Sequence, residues 1–157
     1  MKLEGSCHCG AVRFTVDSQA PCPYLRCYCS ICRKTAGGGG YAINLGAESA
    51  SLTIEGEDHL AVYRAPSESH EDGLREARRH FCKACGSALW VYDPRWPELV
   101  HPFASAIDTA LPIPPETVHM MLGSKADWVA AADGPDHAHC DEYPEESLSE
   151  WHRRHRV

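Results

Sequence analysis

The 157-residue sequence has no apolar run approaching the roughly 20 residues that span a bilayer, and its first six residues lack the apolar stretch of a secretory signal. Positive charge is in deficit, with 15 Lys and Arg against 22 Asp and Glu and a formal net charge of −7. Binding along a phosphate backbone needs clustered excess Lys and Arg, so a general nucleic-acid binder is excluded. The deficit is uneven: residues 133–157 hold seven acids and three arginines, or −4, which leaves −3 for the first 132 residues. These absences predict a soluble, cytoplasmic protein with neither nucleic acid nor a membrane as partner. In that reducing compartment its nine cysteines are expected to bind metal or do thiol chemistry rather than form disulfides.

Long helical periodicity is also scarce. Short alternating runs dominate instead, at Ala11–Val16, Tyr41–Leu45, Ser51–Ile54, Leu60–Arg64, Ala88–Tyr92 and Thr117–Leu122, separated by Gly, Pro and Ser. They predict a mainly β fold. The charged stretch 66–79 and the proline-rich stretch 94–115 read as excursions from the sheet. Ser30 is expected to cap a short helix over Ile31–Ala36 that stops at Gly37, and Pro144 to begin a second with Leu148 and Trp151 on its apolar edge. The length suits one domain. Residues 1–132 are expected to form it, and the acidic segment 133–157, with its short helix, to pack on it.

Seven cysteines fall into three groups, Cys7-His8-Cys9, Cys27-Tyr28-Cys29-Ser30-Ile31-Cys32 and Cys82-Lys83-Ala84-Cys85-Gly86. A C-x-C step on an extended strand puts both sulfurs on one face, and a C-x-x-C turn followed by Gly makes a chelating knuckle. The simplest partition joins Cys7, Cys9, Cys82 and Cys85 in a four-thiolate structural site. Cys27, Cys29 and Cys32 remain, three ligands with an open fourth position, as catalytic zinc requires. A distant side chain, or Cys22, closing that site would make it structural as well. Cys22 and Cys140 read as unligated thiols, and His137-Ala138-His139-Cys140 lies in an acidic tail with no defined frame for a metal. His8, His80 and His119 read as satisfied or exposed histidines, and the run His152–Arg156 as a solvated helix end. The turn Gly37–Gly40 marks a place of close backbone approach.

These three cysteine segments, together with Gly5-Ser6 and Gly10-Ala11-Val12 around the first, Arg33-Lys34 after the second and Phe81 and Ser87-Ala88-Leu89 around the third, resemble the glutathione-dependent formaldehyde-activating enzymes and their centromere protein V-like relatives. Ser124-Lys125-Ala126-Asp127-Trp128-Val129 and Asp141-Glu142-Tyr143-Pro144 resemble the family's C-terminal segment. The resemblance implies a single-domain, zinc-bound β-tent fold with two zinc ions per chain, structural on the outer four cysteines and catalytic on Cys27, Cys29 and Cys32. It departs at Tyr28, where the family commonly has His. The implied activity is that of a carbon-sulfur lyase, condensing glutathione with formaldehyde to S-(hydroxymethyl)glutathione. The implied partners are a small thiol and an aldehyde. Arg33 and Lys34 are candidate groups for the glutathione carboxylates, or simple charge balance for the thiolates. Two other readings remain open: a non-catalytic zinc module that binds a partner, and a thiol redox or metal-responsive protein using Cys27, Cys29 and Cys32.

Overall fold

The computed structural model describes residues 1–157. The chain opens with β1 (Lys2–Ser6) and β2 (Arg13–Asp17), then runs through β3 (Tyr24–Cys27), α1 (Ser30–Ala36), β4 (Ala42–Asn44), β5 (Ala47–Glu48) and β6 (Thr53–Glu55). It continues with β7 (Leu60–Tyr63), β8 (Arg78–Cys82), β9 (Ala88–Tyr92), β10 (Leu99–Pro102), β11 (Thr117–Met120), β12 (His137–His139) and α2 (Leu148–His155). The fold is mainly β, as expected. Its strands form three open sheets, ordered β1-β2-β6, β5-β10-β9-β8-β7 and β12-β11-β3-β4.

Alternation explains how the sheets meet. Val12, Phe14 and Val16 face inward beside Leu3, and this face packs on Leu89, Trp90 and Val100 of the five-stranded sheet; Cys7 and Cys82 lie in the same core. A second apolar cluster joins Cys27, Ala42 and Met120 of the third sheet to Val91 and Phe103, with Cys32 among them. Residues of β9 therefore serve both cores, Leu89 and Trp90 in one and Val91 in the other.

All six expected strands are present within a residue or two of their expected bounds. β11 stops at Met120 because Met121 turns into the left-handed region at φ 61°. Several elements differ from expectation. The proline-rich stretch holds β10, which lies between β5 and β9; its Pro102 ends the strand and still accepts the Leu45 N–H at 2.9 Å. The charged stretch yields β8 from Arg78 onward, and His137–His139 is framed as β12, parallel to β11. The second helix begins at Leu148 rather than Pro144, because Ser147 and Glu150 form a reciprocal capping box.

The end of that helix is not simply solvated. Trp151 is buried against Cys22 and Val118, and His152 Nε2 donates to the Cys22 carbonyl at 2.7 Å. Glu116 accepts from both Trp151 Nε1 at 2.7 Å and Arg154 at 2.9 Å. No helix is long and apolar enough to cross a membrane.

Candidate metal centres

Cys7, Cys9, Cys82 and Cys85 come together, with all four sulfurs within 4.8 Å of one another. Cys7 and Cys9 sit in the turn after β1, not on an extended strand; Gly10 N–H closes that turn on the Cys7 carbonyl at 3.0 Å. Cys82 ends β8, and Gly86 N–H closes the second turn on its carbonyl at 2.7 Å. Gly10 and Gly86 have φ of 75° and 76°, so each knuckle needs its glycine. The knuckles are tied by His8 N–H donating to Ser87 Oγ at 3.1 Å. The Ser87 hydroxyl and amide also hold the Cys85 thiol down at about 5.

Sulfur separations of 3.5 Å for Cys7–Cys9 and 3.8 Å for Cys9–Cys82 match the roughly 3.8 Å edge of a tetrahedron with metal–sulfur bonds of about 2.3 Å. An all-sulfur tetrahedron suits a borderline-soft cation such as zinc.

Cys27, Cys29 and Cys32 form the other cluster, again within 4.8 Å, and no fourth His, Cys, Asp or Glu joins it. Cys22 lies in a separate apolar group and does not close it. Cys27 ends β3 and Cys32 sits in the first turn of α1. The helix cap is Cys29, not Ser30: its Sγ accepts the Cys32 N–H at 3.3 Å. The Cys27 and Cys32 thiols, aided by the Cys32 and Ile31 amides, push the Cys29 thiol strongly toward thiolate. The same sharing raises Cys27, chiefly through Cys29. Cys27 and Cys32 are buried, while Cys29 is half-buried and gives the cluster its access to solvent.

Lys34 lines a cleft beside α1 with Ser30, Thr35, Tyr63 and Arg75. Arg33 is not among the cleft residues, and its Nε is enclosed without a partner. The close approaches predicted at the glycine turn come from the protein itself. A Cβ on Gly37 would collide with the Tyr41 carbonyl oxygen and one on Gly40 with the Val129 side chain, whereas Gly38 faces open space.

A residue with no sequence signal, Arg79 of β8, also reaches the central cluster; its Nη2 lies 3.6 Å from Cys32 Sγ.

Tyr28 points away from the sulfurs into a buried chain of aromatic groups. Its hydroxyl is hydrogen-bonded to His119 Nδ1 at 2.7 Å, and His119 Nε2 is hydrogen-bonded to His137 Nδ1 at 2.8 Å. His119 is thus satisfied, as expected, while His8 is exposed and His80 stacks on Trp90 with its Nδ1 unpartnered. Burial, followed by the charge of Arg26, holds His119 down at about 4, against an ordinary 6.5. Between these values the unfolded chain binds the extra proton, so the stability supplied by neutral His119 is complete above the higher value and lost as pH falls through the window. Urea melts should show the margin of the natural protein over a His119→Gln variant narrowing by about 3 kcal/mol from pH 7 to pH 4. A constant margin would mean that His119 takes up its proton as readily in the folded protein as in the unfolded chain.

Fold and clusters define a mainly β protein with two sites that could hold metal ions, one of four sulfurs and one of three. Residues 2–124 match the family described as "Glutathione-dependent formaldehyde-activating enzyme". A protein of Halomonas elongata named "Putative glutathione-dependent formaldehyde-activating enzyme" is 59% identical over 155 residues, covering 98% of this chain and 96% of that protein. A crystal structure of a Rhodobacter sphaeroides protein is 28% identical, with a TM-score of 0.55, and covers 71% of this chain and 92% of that one. The chain belongs to the glutathione-dependent formaldehyde-activating enzyme family.

Proposed function

We propose that the protein is a zinc-dependent carbon-sulfur lyase-type enzyme of the cytoplasm that interconverts glutathione plus formaldehyde with S-(hydroxymethyl)glutathione. The observation carrying this reading is the contrast between a four-sulfur cluster and a three-sulfur cluster with no fourth protein ligand. Cys7, Cys9, Cys82 and Cys85 would hold a structural zinc, and Cys27, Cys29 and Cys32 a catalytic one. When bound there, zinc supplies a coordination position for a thiol and keeps its sulfur as thiolate near neutral pH.

The protein's own residues do the rest. The half-buried Cys29 edge leaves a route by which substrate sulfur reaches the cluster, and the buried Cys27 and Cys32 keep water from the opposite side. Lys34 and Arg75, sharing the cleft beside α1, supply cations for the two glutathione carboxylates; Arg33 adds positive charge from the same helix. In the reaction one C–S bond forms and the carbonyl oxygen takes the proton that the thiol gave up. Residues 133–157 pack on the 1–132 domain and complete it through the Trp151 contacts.

Thiols add to formaldehyde unaided, so the enzyme changes only the rate of exchange between glutathione and its adduct. NMR exchange measurements at equilibrium should show acceleration by protein carrying about two zinc ions per chain, and none after the metal is stripped. Equal rates for loaded and stripped protein would overturn the lyase reading and favour a zinc-dependent interaction module.

A further inference from the structure

Arg79 lies on β8, opposite Val91 of β9. Val91 belongs to the apolar cluster that also contains Cys27 and Cys32, and Ala77 packs against it from the segment just before β8. Into this surrounding Arg79 brings a full positive charge. Its Nε and Nη1 are shut from solvent and meet no acceptor. No carboxylate pairs with it: the ion pairs of the protein's arginines involve Arg64, Arg95 and Arg154. The acceptor found for its guanidinium is the sulfur of Cys32, at 3.6 Å from Nη2.

Arg79 as a whole is half-buried, but a guanidinium with two nitrogens enclosed and unpartnered is costly, and a neutral thiol is a weak acceptor that does little to offset it. A thiolate is a different partner. Three thiolates around a divalent cation carry a net charge of −1, the complement of one guanidinium, and their attraction is strong where water is excluded. Arg33, also near the cluster, has an enclosed Nε but no sulfur partner.

We propose that Arg79 is a positioning residue that serves as the fixed counter-charge of the central metal site, stabilising Cys27, Cys29 and Cys32 as thiolates around a divalent cation. The proposal rests on the reading of that cluster as a metal site. It predicts that metal at the central site is held more tightly because of Arg79, while metal at the outer four-cysteine site is indifferent to it. Groups that hydrogen-bond to metal ligands typically change metal affinity by a factor of about 10–100.

The test is competition for zinc against a chromophoric chelator, using the fully loaded protein and its Arg79→Met and Arg79→Lys variants, with melting temperatures taken in excess zinc. The expected result is release of one zinc per chain from the Met variant at about 10–100-fold lower chelator strength. The second zinc should be retained as in the natural protein, the Lys variant should behave close to the natural protein, and the melting temperatures in excess zinc should be similar. Unchanged central affinity in the Met variant would overturn the proposal, as would equal weakening in the Met and Lys variants. A natural protein that holds only one zinc would overturn the metal reading of the central cluster and this proposal with it. Should the Met variant not fold, Arg79→Gln, which keeps hydrogen-bonding capacity and loses the charge, replaces it with the same expectation.

Discussion

Replacing Cys82 with Ser is expected to abolish the cooperative thermal transition or lower it by more than about 10 °C. Cys82 is fully buried in the main core, and its cluster joins the turn after β1 to the end of β8, 73 residues away. Structural zinc in small domains contributes about 10–16 kcal/mol of apparent binding free energy, comparable to the whole stability of a domain at about 5–15 kcal/mol. Losing about 4 kcal/mol would already move the melting temperature of a protein this size by about 10 °C. The Cys7→Ser variant should behave alike, because Cys7 Sγ also accepts the Val12 N–H at 3.2 Å at the entrance to β2. Differential scanning calorimetry with zinc counts checks both. A variant that loses its outer metal and melts within a few degrees of the natural protein would show that the site is not structural.

Cys32→Ser has the opposite signature. Its cluster spans six residues of continuous chain, and β3 is independently held by β4 on one side and β11 on the other. The variant should stay folded, lose one zinc per chain and return glutathione–formaldehyde exchange to the uncatalysed rate, a drop of at least about 100-fold if the metal-held thiolate is the nucleophile. Cys29→Ser should match it in activity. Equilibrium exchange by NMR, beside a calorimetric scan of the same sample, separates loss of chemistry from loss of fold. Retained exchange with the central metal absent would place the chemistry elsewhere.

The cysteine spacing carried most of the candidate site, because knuckles and short chelate loops are local and their ligands are adjacent in sequence. The alternating runs of β2, β6, β9 and β11 were readable for the same reason. What escaped is non-local. Tyr24–Cys27 shows no alternation and becomes a strand through pairing on both edges, with β11 parallel and β4 antiparallel. His137-Ala138-His139 becomes a strand only through its parallel pairing with β11, a pairing no local pattern announces. Pro102 argued against β10 yet costs nothing at the strand end it occupies. Arg79 ends a charged run that reads as an excursion from the sheet, and only the pairing of β8 with β9 turns it toward the sulfurs. Cys29 as helix cap was hidden by a better-known capping residue, Ser30, one position later.

The difference in span between the two cysteine clusters also bears on how the chain would acquire metal during folding. The central ligands lie within one short loop, whose ends meet on the time scale of tens of nanoseconds, so this site can be assembled before any sheet exists. The outer site must wait until β1 and β8 have found their places, because closing its loop is entropically costlier and its ligands are set by strand pairing. If both clusters take metal as proposed, the local cluster would compete for it first where metal is scarce during synthesis, and the step that locks the tertiary structure would be the one exposed to metal limitation. Refolding followed at increasing zinc should therefore show central occupancy leading and global structure arriving with the second ion.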